Sequence, residues 1–387
     1  MSTLYIVKRK THKNEQHFKS RAHDAAAAAG CMRARHRAPP GAGQRRSCYD
    51  TVAALSLQSC MDASSSSSLA KATQRSSQLT VICSDMDGTL LPGGAYPRRI
   101  SGANAAALKQ AMQQGVQVII ATGKRPGPWL PPLRQALGFA DDAGLTLNAP
   151  SVMFNGLLVT DVDGTVAHKR LLPRDIVSRL VGFGSDCNLT LHAYTDDDRN
   201  VCAAHNSWSD KVVVYEEPTL EAIGSTGMLA LGDASTGSVG TFKLVWWGSP
   251  KDIDAARPKL DEMVGADAEV VSSLETALEV LPRGASKAEG MAIALELLSK
   301  RSGKPVEMAN VLALGDGEND LTMLQRVHHA GGEGVAMGNA MEAVKAAAGW
   351  VGPSNDDNGV ATAVRHFVLG EPGLACNFTR STEGVRG

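Results

Sequence analysis

From Leu79 onward, short apolar runs rich in β-branched residues alternate with segments of helical periodicity. Three of these runs are too short for helices and predict buried strands: Leu79–Cys83, Val116–Ile120 and Val311–Leu314. Helical spacing follows the first run from Ile100 to Gln114 and the third from Leu321 to Val327. Strands that alternate with helices pair in parallel, which predicts a doubly wound, mostly parallel α/β sheet. In such sheets, ligands bind beyond the carboxyl ends of the strands.

The first predicted strand is followed by an acidic motif, Asp85–Thr89. Its two carboxylates, Asp85 and Asp87, lie two residues apart on a turn that Gly88 allows. Such a pair can bind a hard cation through its oxygens, or one carboxylate can attack a substrate while the other transfers protons. A D-G pair is also a common hairpin turn, so the pattern alone leaves these interpretations open.

The same five-residue pattern recurs as Asp161–Thr165. Short alternating runs flank this second copy on both sides, at 156–160 and 166–168. Alternating runs around a D-G pair predict a β-hairpin. We therefore expect the second copy to be a structural turn.

The second predicted strand is followed by Thr122 and Gly123, and then by Lys124-Arg125. A hydroxyl beside a glycine at a strand end can donate hydrogen bonds to phosphate oxygens. A strand-to-helix turn with a threonine cap explains the same residues equally well. Two similar sequences, 225–227 and 235–237, follow no strong apolar strand and are predicted to be loops.

A lysine, Lys287, opens an amphipathic helix after Gly284-Ala285-Ser286. The helix dipole disfavours a cation in the first turn, so an anion nearby would explain its position. A solvated surface lysine is the alternative interpretation.

The third predicted strand is followed by Gly315–Asp320, in which three oxygen-bearing side chains lie close together: Asp316, Asn319 and Asp320. Carboxylate and amide oxygens at the carboxyl end of a strand suit Mg²⁺. The spacing lacks the pattern of an EF-hand calcium loop. A simple acidic turn is the competing interpretation.

Four motifs, in this order, resemble the signature of the haloacid-dehalogenase-like phosphatase superfamily: D-M-D-G-T-L (85–90), A-T-G (121–123), G-A-S-K (284–287) and G-D-G-E-N-D (315–320). Three further stretches are similar to its Cof-type branch: Phe154–Gly156, Leu278–Pro282 and Gly334–Ala340. The resemblance spans about residues 79–369. It implies a Rossmann-like core with a large α+β cap domain inserted between the second and third motifs.

The resemblance also implies catalytic roles for the matching residues. Asp85 would be the nucleophile that forms an aspartyl-phosphate, and Asp87 would be the general acid and then the general base. Thr122, with Gly123, would bind the oxygens of the transferring phosphoryl group. Lys287 would neutralise those oxygens and Asp85.

A metal site follows from the same resemblance. Mg²⁺ would bind Asp85, the backbone carbonyl of Asp87, and Asp316. Asp320 and Asn319 would complete the surroundings of the metal and the phosphate. The cation would relieve repulsion between the carboxylate and the phosphate dianion.

The acid at position 87 narrows the implied activity. Dehalogenase-like members lack an acid two residues after the nucleophile, and transport ATPases carry threonine there together with membrane spans. The expected function is therefore a Mg²⁺-dependent phosphatase acting on a sugar phosphate or a phosphorylated cofactor or precursor. A phosphosugar mutase and a catalytically idle ligand-binding member of the fold are the alternatives. The bacterial members of the branch more often have arginine directly after T-G, where this chain has Lys124. This difference puts in doubt whether the basic residue at that position contacts substrate.

The resemblance divides the chain into a catalytic core, residues 79–171 and 282–369, and an inserted cap, residues 172–281. The cap contains three strand-like runs, at 189–194, 211–215 and 241–247. An acidic loop, Asp196–Arg199, is expected to be solvated rather than to bind substrate hydroxyls. His205 and Trp208 are expected to lie at the surface or in packing between cap and core.

The two ends of the chain differ in composition from the rest. Residues 1–78 contain 13 Lys and Arg residues but four acids, a net charge of +9, and are rich in Ala and Ser. This composition predicts a disordered leader and is typical of organelle transit peptides, more of a plastid than of a mitochondrion. The protein would be cytoplasmic if the leader is not a transit peptide. Residues 370–387 are predicted to be a disordered tail.

The composition also limits the possible partners. Lys plus Arg (39) nearly balances Asp plus Glu (40), which argues against a nucleic-acid-binding protein. The longest apolar runs fall well short of the roughly 18 residues that a membrane span needs. The seven cysteines lack the spacing of a disulfide framework or a zinc site. The expected partner is a small phosphorylated metabolite, and these patterns predict no oligomeric state.

Overall fold

A computed structural model of the protein describes the following residues: 79–92, 97–139, 146–183, 188–235 and 239–381. The predicted leader, residues 1–78, lies outside this range, as does most of the predicted loop at 235–237. Within the described part of the chain, the helices are all too short or too polar to cross a membrane.

Strands and helices alternate along the described residues. The strands, in chain order, are β1 (Val81–Ser84), β2 (Gln117–Ile120), β3 (Ser151–Met153), β4 (Leu158–Thr160), β5 (Val166–Lys169), β6 (Thr190–Thr195), β7 (Asn200–Cys202), β8 (Glu221–Ala222), β9 (Thr241–Trp247), β10 (Ala268–Leu274), β11 (Ala277–Pro282), β12 (Val311–Gly315), β13 (Glu333–Ala336), β14 (Trp350–Val351) and β15 (Thr379–Arg380). The α-helices are α1 (Gly102–Gln113), α2 (Leu130–Leu137), α3 (Arg174–Leu180), α4 (Lys211–Val214), α5 (Gly224–Ala230), α6 (Pro250–Val264), α7 (Lys287–Ser302), α8 (Leu321–His329), α9 (Glu342–Ala347) and α10 (Gly359–Ala363). The three strands and two helices predicted for the core from apolar runs are therefore all present.

The central sheet has the strand order β15-β14-β13-β12-β1-β2. All its neighbouring pairs are parallel except β14 with β15. Alternate residues of β1 lie in different apolar cores, with Ile82 beside Leu108 of α1 and Cys83 beside Met291 of α7 and Leu324 of α8. Helices thus cover both faces of the sheet, which confirms the predicted doubly wound α/β fold.

A second six-stranded sheet is formed by residues between Thr190 and Pro282, in the order β10-β11-β9-β6-β7-β8. It is antiparallel except for β7 with β8. Its apolar core includes the fully buried Trp246 of β9, Ile176 of α3 and Leu260 of α6. This arrangement is the α+β architecture expected of the insert, and the boundaries of a cap domain at 172 and 281 stay a prediction.

Two predictions of local structure in this region are wrong. The run Lys211–Tyr215 was expected to be a strand, but it forms helix α4 and the residue that caps it. The place beside β7 at the sheet edge is taken by β8, so this run pairs with no strand, and only Val212 of it is buried. The sequence 225–227, predicted to be a loop, lies inside helix α5, because burial of Met228 in the second core favours a helix there.

The predicted disordered tail is also wrong for residues 370–381. Strand β15 pairs with β14 at the edge of the central sheet. The ring of Phe378, which is buried, lies 5.0 Å from the ring of Phe367. The buried ring of Phe378, the pairing of β15 and the stacking of Arg380 on Trp350 all contribute to the order of this segment.

Candidate active site

The candidate site lies where three neighbouring strands of the central sheet end. Strands β12, β1 and β2 are adjacent and parallel, with Ser84 paired to both Leu314 and Ile120. The residues that follow these strands therefore meet at one edge of the sheet. The backbone N–H of Asp85 donates to the carbonyl of Leu314 at 2.9 Å, which links the first motif to the strand that carries the fourth.

Three carboxylates and one ammonium group form the centre of the site. Asp85, Asp316 and Asp320 each place a carboxylate oxygen within 4.8 Å of the others. The Nζ of Lys287 donates to Asp85 Oδ1 at 2.6 Å and to Asp320 Oδ1 at 2.7 Å. Lys287 is 1% exposed. The prediction that an anion accounts for a lysine in the first helical turn is therefore confirmed.

Burial and like charges dominate the electrostatics of this cluster. Burial, together with the charges of Asp320 and Asp316, raises the pKa of Asp85 well above its ordinary value, although Lys287 opposes the shift. Burial likewise raises the pKa of Asp316 to about 6. Burial alone would lower the pKa of Lys287, but Asp320 and Asp85 outweigh it and raise the pKa. One ammonium group thus faces three carboxylates. A metal cation that prefers oxygen ligands would balance the negative charge that Lys287 leaves uncompensated.

The position of Asp316 is set by contacts from the first motif. The hydroxyl of Thr89 donates to Asp316 Oδ1 at 2.7 Å. A Cβ at Gly88, where φ is +83°, would lie 2.3 Å from Asp316 Oδ2. Asp320 Oδ2 accepts the backbone N–H groups of Asp316 and Gly317, both at 3.0 Å. Contacts from the first motif and from within the fourth motif therefore hold the carboxylate of Asp316 in place.

The first turn of α7 carries Lys287 into the cluster. Ser286 caps this helix by accepting the backbone N–H of Glu289 at 3.2 Å. A Cβ at Gly156, where φ is +93°, would lie 2.2 Å from the carbonyl oxygen of Ser286 and 3.1 Å from the N of Gly290. A side chain at Gly156 would push this helical turn away from the carboxylates. The 154–156 stretch therefore helps to place Lys287.

The second motif lies beside the same cluster. Thr122 is buried, and its Oγ1 accepts the backbone N–H of Lys124 at 3.1 Å. A hydroxyl that accepts one hydrogen bond still has its own proton to donate, so Thr122 can bind a phosphate oxygen. The carbonyl of Thr122 accepts from the backbone N–H of Asn155 at 3.0 Å. Asn319 Nδ2 donates to Asn155 Oδ1 at 3.0 Å, and Gly123 packs on the same side chain.

Asp87 differs from the other acids of the site. Its side chain is 28% exposed, whereas that of Asp85 is 8% exposed. Its carboxylate accepts from Arg98 and, at 3.0 Å, from Lys124. The exposed edge of Asp87 suits a group that exchanges protons with a substrate or with water.

Sequence reasoning missed two of these basic residues. The sequence left a substrate role of Lys124 in doubt. In the structure its Nζ bonds Asp87 and also donates to the carbonyl of Tyr215 at 2.6 Å, so it joins Asp87 to the insert. Its position after the T-G pair at a strand end was the available signal. Arg98 carried no signal, because it lies in a loop before α1. The neighbouring Arg125 is buried elsewhere, donating to Asn200 at 2.7 Å.

The other residues considered from the sequence have different surroundings. The Asp161–Thr165 copy forms the turn of the β4–β5 hairpin, as predicted. The acidic loop Asp196–Arg199 joins β6 to β7, and Asp196 bonds Lys169 at 2.8 Å. His205 is exposed, and Trp208 is partly buried against an apolar core. The expectation that these two residues lie at the surface or in packing is confirmed.

The chain matches one known family and several known proteins. The family described as haloacid dehalogenase-like hydrolase matches residues 82–364. A chloroplastic Arabidopsis thaliana protein named endoribonuclease YBEY is 33% identical over 294 residues, 76% of this chain. The chain spans about half (47%) of the length of that protein.

Two further relatives are matched over nearly their whole length. The 5-amino-6-(5-phospho-D-ribitylamino)uracil phosphatase YcsE of Bacillus subtilis is 29% identical, covering 75% of this chain and 96% of its own. The crystal structure of a haloacid dehalogenase-like hydrolase from Bacteroides thetaiotaomicron has a TM-score of 0.60 and 25% identity. It covers 74% of this chain and 98% of its own.

Proposed function

The chain belongs to the haloacid dehalogenase-like hydrolase family and is a phosphatase, and we propose that it hydrolyses a small phosphorylated metabolite with the help of Mg²⁺. The resemblance to the Cof-type branch of that family is confirmed. One observation supports the proposed mechanism above all others. The buried Lys287 holds both Asp85 and Asp320 beside Asp316, at the end of β1.

In the proposed reaction, Asp85 is the nucleophile. Lys287 holds its Oδ1, so the attack on phosphorus comes from Oδ2. A bond forms between this oxygen and phosphorus while the bond from phosphorus to the leaving oxygen breaks. Asp87 donates a proton to the leaving oxygen, and the product alcohol departs.

The second half of the reaction regenerates Asp85. Asp87, now a carboxylate, takes a proton from a water molecule, whose oxygen attacks phosphorus. The bond from phosphorus to the oxygen of Asp85 breaks, and inorganic phosphate is released. The exposure of Asp87 supports this role, since the same group must reach the leaving oxygen and then water.

The proposed metal ligands are the carboxylates of Asp85 and Asp316 and the backbone carbonyl of Asp87. Both oxygens of Asp320 already accept hydrogen bonds, from Lys287 and from the 316–317 backbone. We therefore assign Asp320 mainly to holding Lys287 and the loop of Asp316. A bound Mg²⁺ supplies positive charge between the nucleophile and the phosphate dianion.

The proposed phosphate contacts come from the second, third and fourth motifs. Thr122 supplies its hydroxyl and Gly123 its backbone, and Lys287 supplies the buried positive charge. Asn319 is exposed at the site and is braced by Asn155, which supports a contact with a phosphate oxygen.

The experiment that tests this function measures phosphate release by the full chain. Sugar phosphates and phosphorylated cofactor precursors, including the substrate named for YcsE, are assayed with Mg²⁺ and with EDTA. We expect release that requires Mg²⁺ and that falls at least about a thousandfold in Asp85→Asn. Release that survives Asp85→Asn would contradict the nucleophile. Transfer within a bisphosphate-activated sugar phosphate without net release would instead indicate a mutase, and no turnover at all a binding role.

We also propose that the protein acts in a plastid. The basic, Ser-rich composition of residues 1–78 and the chloroplastic relative support this location. Residues 1–78 fused to a fluorescent protein should accumulate in plastids of plant cells. Accumulation in mitochondria or in the cytosol would contradict the proposal.

A further inference from the structure

The segment Tyr215–Pro218 joins α4 to β8 and contacts the central domain beside Asp87. The carbonyl of Tyr215 accepts from Lys124, which also bonds Asp87. The next residue, Glu216, accepts from Arg99 at 2.8 Å. This segment therefore brings the following residue, Glu217, to the side of the site where Asp87 lies.

Glu217 is a buried acid with an unused hydrogen-bond acceptor. It is 8% exposed, and within the described ranges of the chain its Oε2 has no hydrogen-bond partner. Burial raises the pKa of Glu217 to about 7, although the charges of Lys243 and Lys124 oppose the shift. The charges of Glu279 and Asp87 raise the pKa of Glu217 further. A buried acceptor without a donor is unfavourable, so a bound ligand that supplied the donor would gain a hydrogen bond here.

The cations around Glu217 already have partners. Lys243 donates to Glu279 Oε2 at 2.8 Å and to the carbonyl of Gly123 at 3.1 Å. Lys124 donates to Asp87 and to the carbonyl of Tyr215. The positive charges are thus compensated by carboxylates, whereas Glu217 still lacks a donor. This group of side chains suits a ligand with hydroxyl or amine donors better than it suits a second anion.

A hydrogen bond of Lys243 connects the second sheet to the Thr122-Gly123 motif, which we propose binds phosphate. Gly123, whose carbonyl accepts from Lys243, follows directly after Thr122. Asp87, on the other side, is the residue that we assign to protonating the leaving oxygen. A leaving group between Asp87 and the second sheet would therefore face Glu217.

We propose that Glu217 determines specificity by accepting a hydrogen bond from the leaving group. The substrates would then be phosphate esters of neutral groups that carry hydroxyl or amine donors. This inference rests on the proposed phosphatase function and names the substrate class of the same site.

The test compares three phosphate esters with different leaving groups. Ribitol 5-phosphate has a neutral leaving group with hydroxyl donors, 2-phosphoglycolate has an anionic one, and p-nitrophenyl phosphate has no donor. We expect the full chain to prefer ribitol 5-phosphate to 2-phosphoglycolate. In Glu217→Leu, the ratio of kcat/KM for ribitol 5-phosphate to that for p-nitrophenyl phosphate should fall at least about tenfold.

Two further variants separate the role of Glu217 from effects on folding. Glu217→Gln keeps an acceptor oxygen in place, so it should keep this ratio within about threefold of the parent protein. Glu216→Leu removes the neighbouring buried acid and serves as the control for loss of a nearby carboxylate: its Oε1 accepts from Arg99, although its Oε2, like that of Glu217, has no partner among the described residues. Its ratio should change less than about twofold, because kcat/KM values for both esters fall together if the variant is only less stable.

Some outcomes would overturn this inference while leaving the phosphatase intact. One is a preference of the parent protein for 2-phosphoglycolate over ribitol 5-phosphate, which can be measured without any variant. The other is an unchanged ratio of kcat/KM for ribitol 5-phosphate to that for p-nitrophenyl phosphate in Glu217→Leu. In both cases Mg²⁺-dependent hydrolysis of p-nitrophenyl phosphate, lost in Asp85→Asn, would still establish the enzyme. If the parent protein hydrolyses none of the three esters, the proposed function fails and this inference fails with it.

Discussion

The chain contains the pattern D-x-D-G-T twice, and the two copies differ in what surrounds them. Gly88 and Gly164 have nearly the same φ, +83° and +84°. In both copies the threonine hydroxyl donates to a carboxylate oxygen at 2.7 Å. Thr89 donates to an acid 227 positions away along the chain, whereas Thr165 donates to one two positions away.

The difference arises from the strands before each copy. The first copy follows a buried strand that lies between two parallel neighbours, β12 and β2, so residues from distant segments surround its polar groups. The second copy joins two antiparallel strands, and its own backbone bonds close the turn. Asp161 N donates to Thr165 O at 2.8 Å, and Gly164 N donates to Asp161 O at 2.8 Å. A shared local sequence therefore has two uses, and its neighbours decide which.

The first acid of each copy should give the largest contrast. Asp85→Asn replaces the proposed nucleophile, and we expect kcat/KM for phosphate esters to fall at least about a thousandfold. Asp161→Asn changes an acid in the hairpin and should alter kcat/KM less than about twofold. Steady-state phosphate release measures both. Similar losses in the two variants would remove the proposed distinction between the copies.

The glycines provide a matched pair of alanine substitutions. Both need a left-handed backbone, which costs alanine about 1–2 kcal/mol. A Cβ at Gly164 would meet no atom of the described residues within 4 Å, whereas one at Gly88 would lie 2.3 Å from Asp316 Oδ2. We expect similar destabilisation in denaturant unfolding from the strain alone, but a loss of activity of about a hundredfold only in Gly88→Ala. An active Gly88→Ala would mean that Asp316 need not stay where it is.

The threonines should show a smaller contrast, in metal affinity. Thr89→Val removes the hydrogen bond that holds Asp316, a proposed metal ligand, and should weaken the apparent affinity for Mg²⁺ about 10–100-fold. Thr165→Val removes a bond within an exposed turn and should leave this affinity unchanged. Activity titrated with Mg²⁺ measures the difference. Equal Mg²⁺ dependence in Thr89→Val and the parent protein would contradict the proposed ligand.

The smallest expected effect is on the pH dependence of stability and comes from Asp163 in the second copy. Hydrogen bonds from the side chain and backbone of Thr165 hold the pKa of Asp163 below its ordinary value of 3.8. The folded state then binds fewer protons than the unfolded state, so this contribution to stability is present above the ordinary pKa and is lost as pH falls through the lowered one. Thr165→Val should therefore destabilise the protein slightly at pH 7 and not at all in strong acid. Urea unfolding at several pH values measures this, and a difference that persists in acid would contradict the cause.

Much of the central domain could be predicted from the sequence because its signals are local. Strands β1, β2 and β12 are short apolar runs, and three of the four motifs follow these runs directly. The helix at 211–214 and the ordered segment at 370–381 could not be predicted in this way. Whether Lys211–Val214 is a strand depends on which segment occupies the edge beside β7. Whether Phe378 is buried depends on Phe367 and β14.

Part of the candidate site was likewise beyond the sequence. Arg98 and Glu217 lie in segments without periodicity or motif. Only the ion pair of Arg98 with Asp87, and the burial of Glu217 in a segment that Lys124 contacts, mark them. Lys243 lies within a strand that the sequence did predict, but nothing local indicates that it reaches the carbonyl of Gly123. Contacts between segments distant in the chain leave no local pattern.

The sequence by itself determined three core strands and the helices predicted for the core, because apolar periodicity decides which face of each element can be buried. It also determined that three of the four motifs lie at the ends of core strands, since parallel strands bring their carboxyl ends to one edge. The runs that flank the two D-x-D-G-T copies already predicted that the second is a turn, but only the tertiary structure decided how the first copy contacts Lys287 and Asp316. The physical reason is that the buried carboxylate of Asp85 is tolerated only beside an opposite charge, and Lys287 supplies that charge from a segment 202 residues away in the chain.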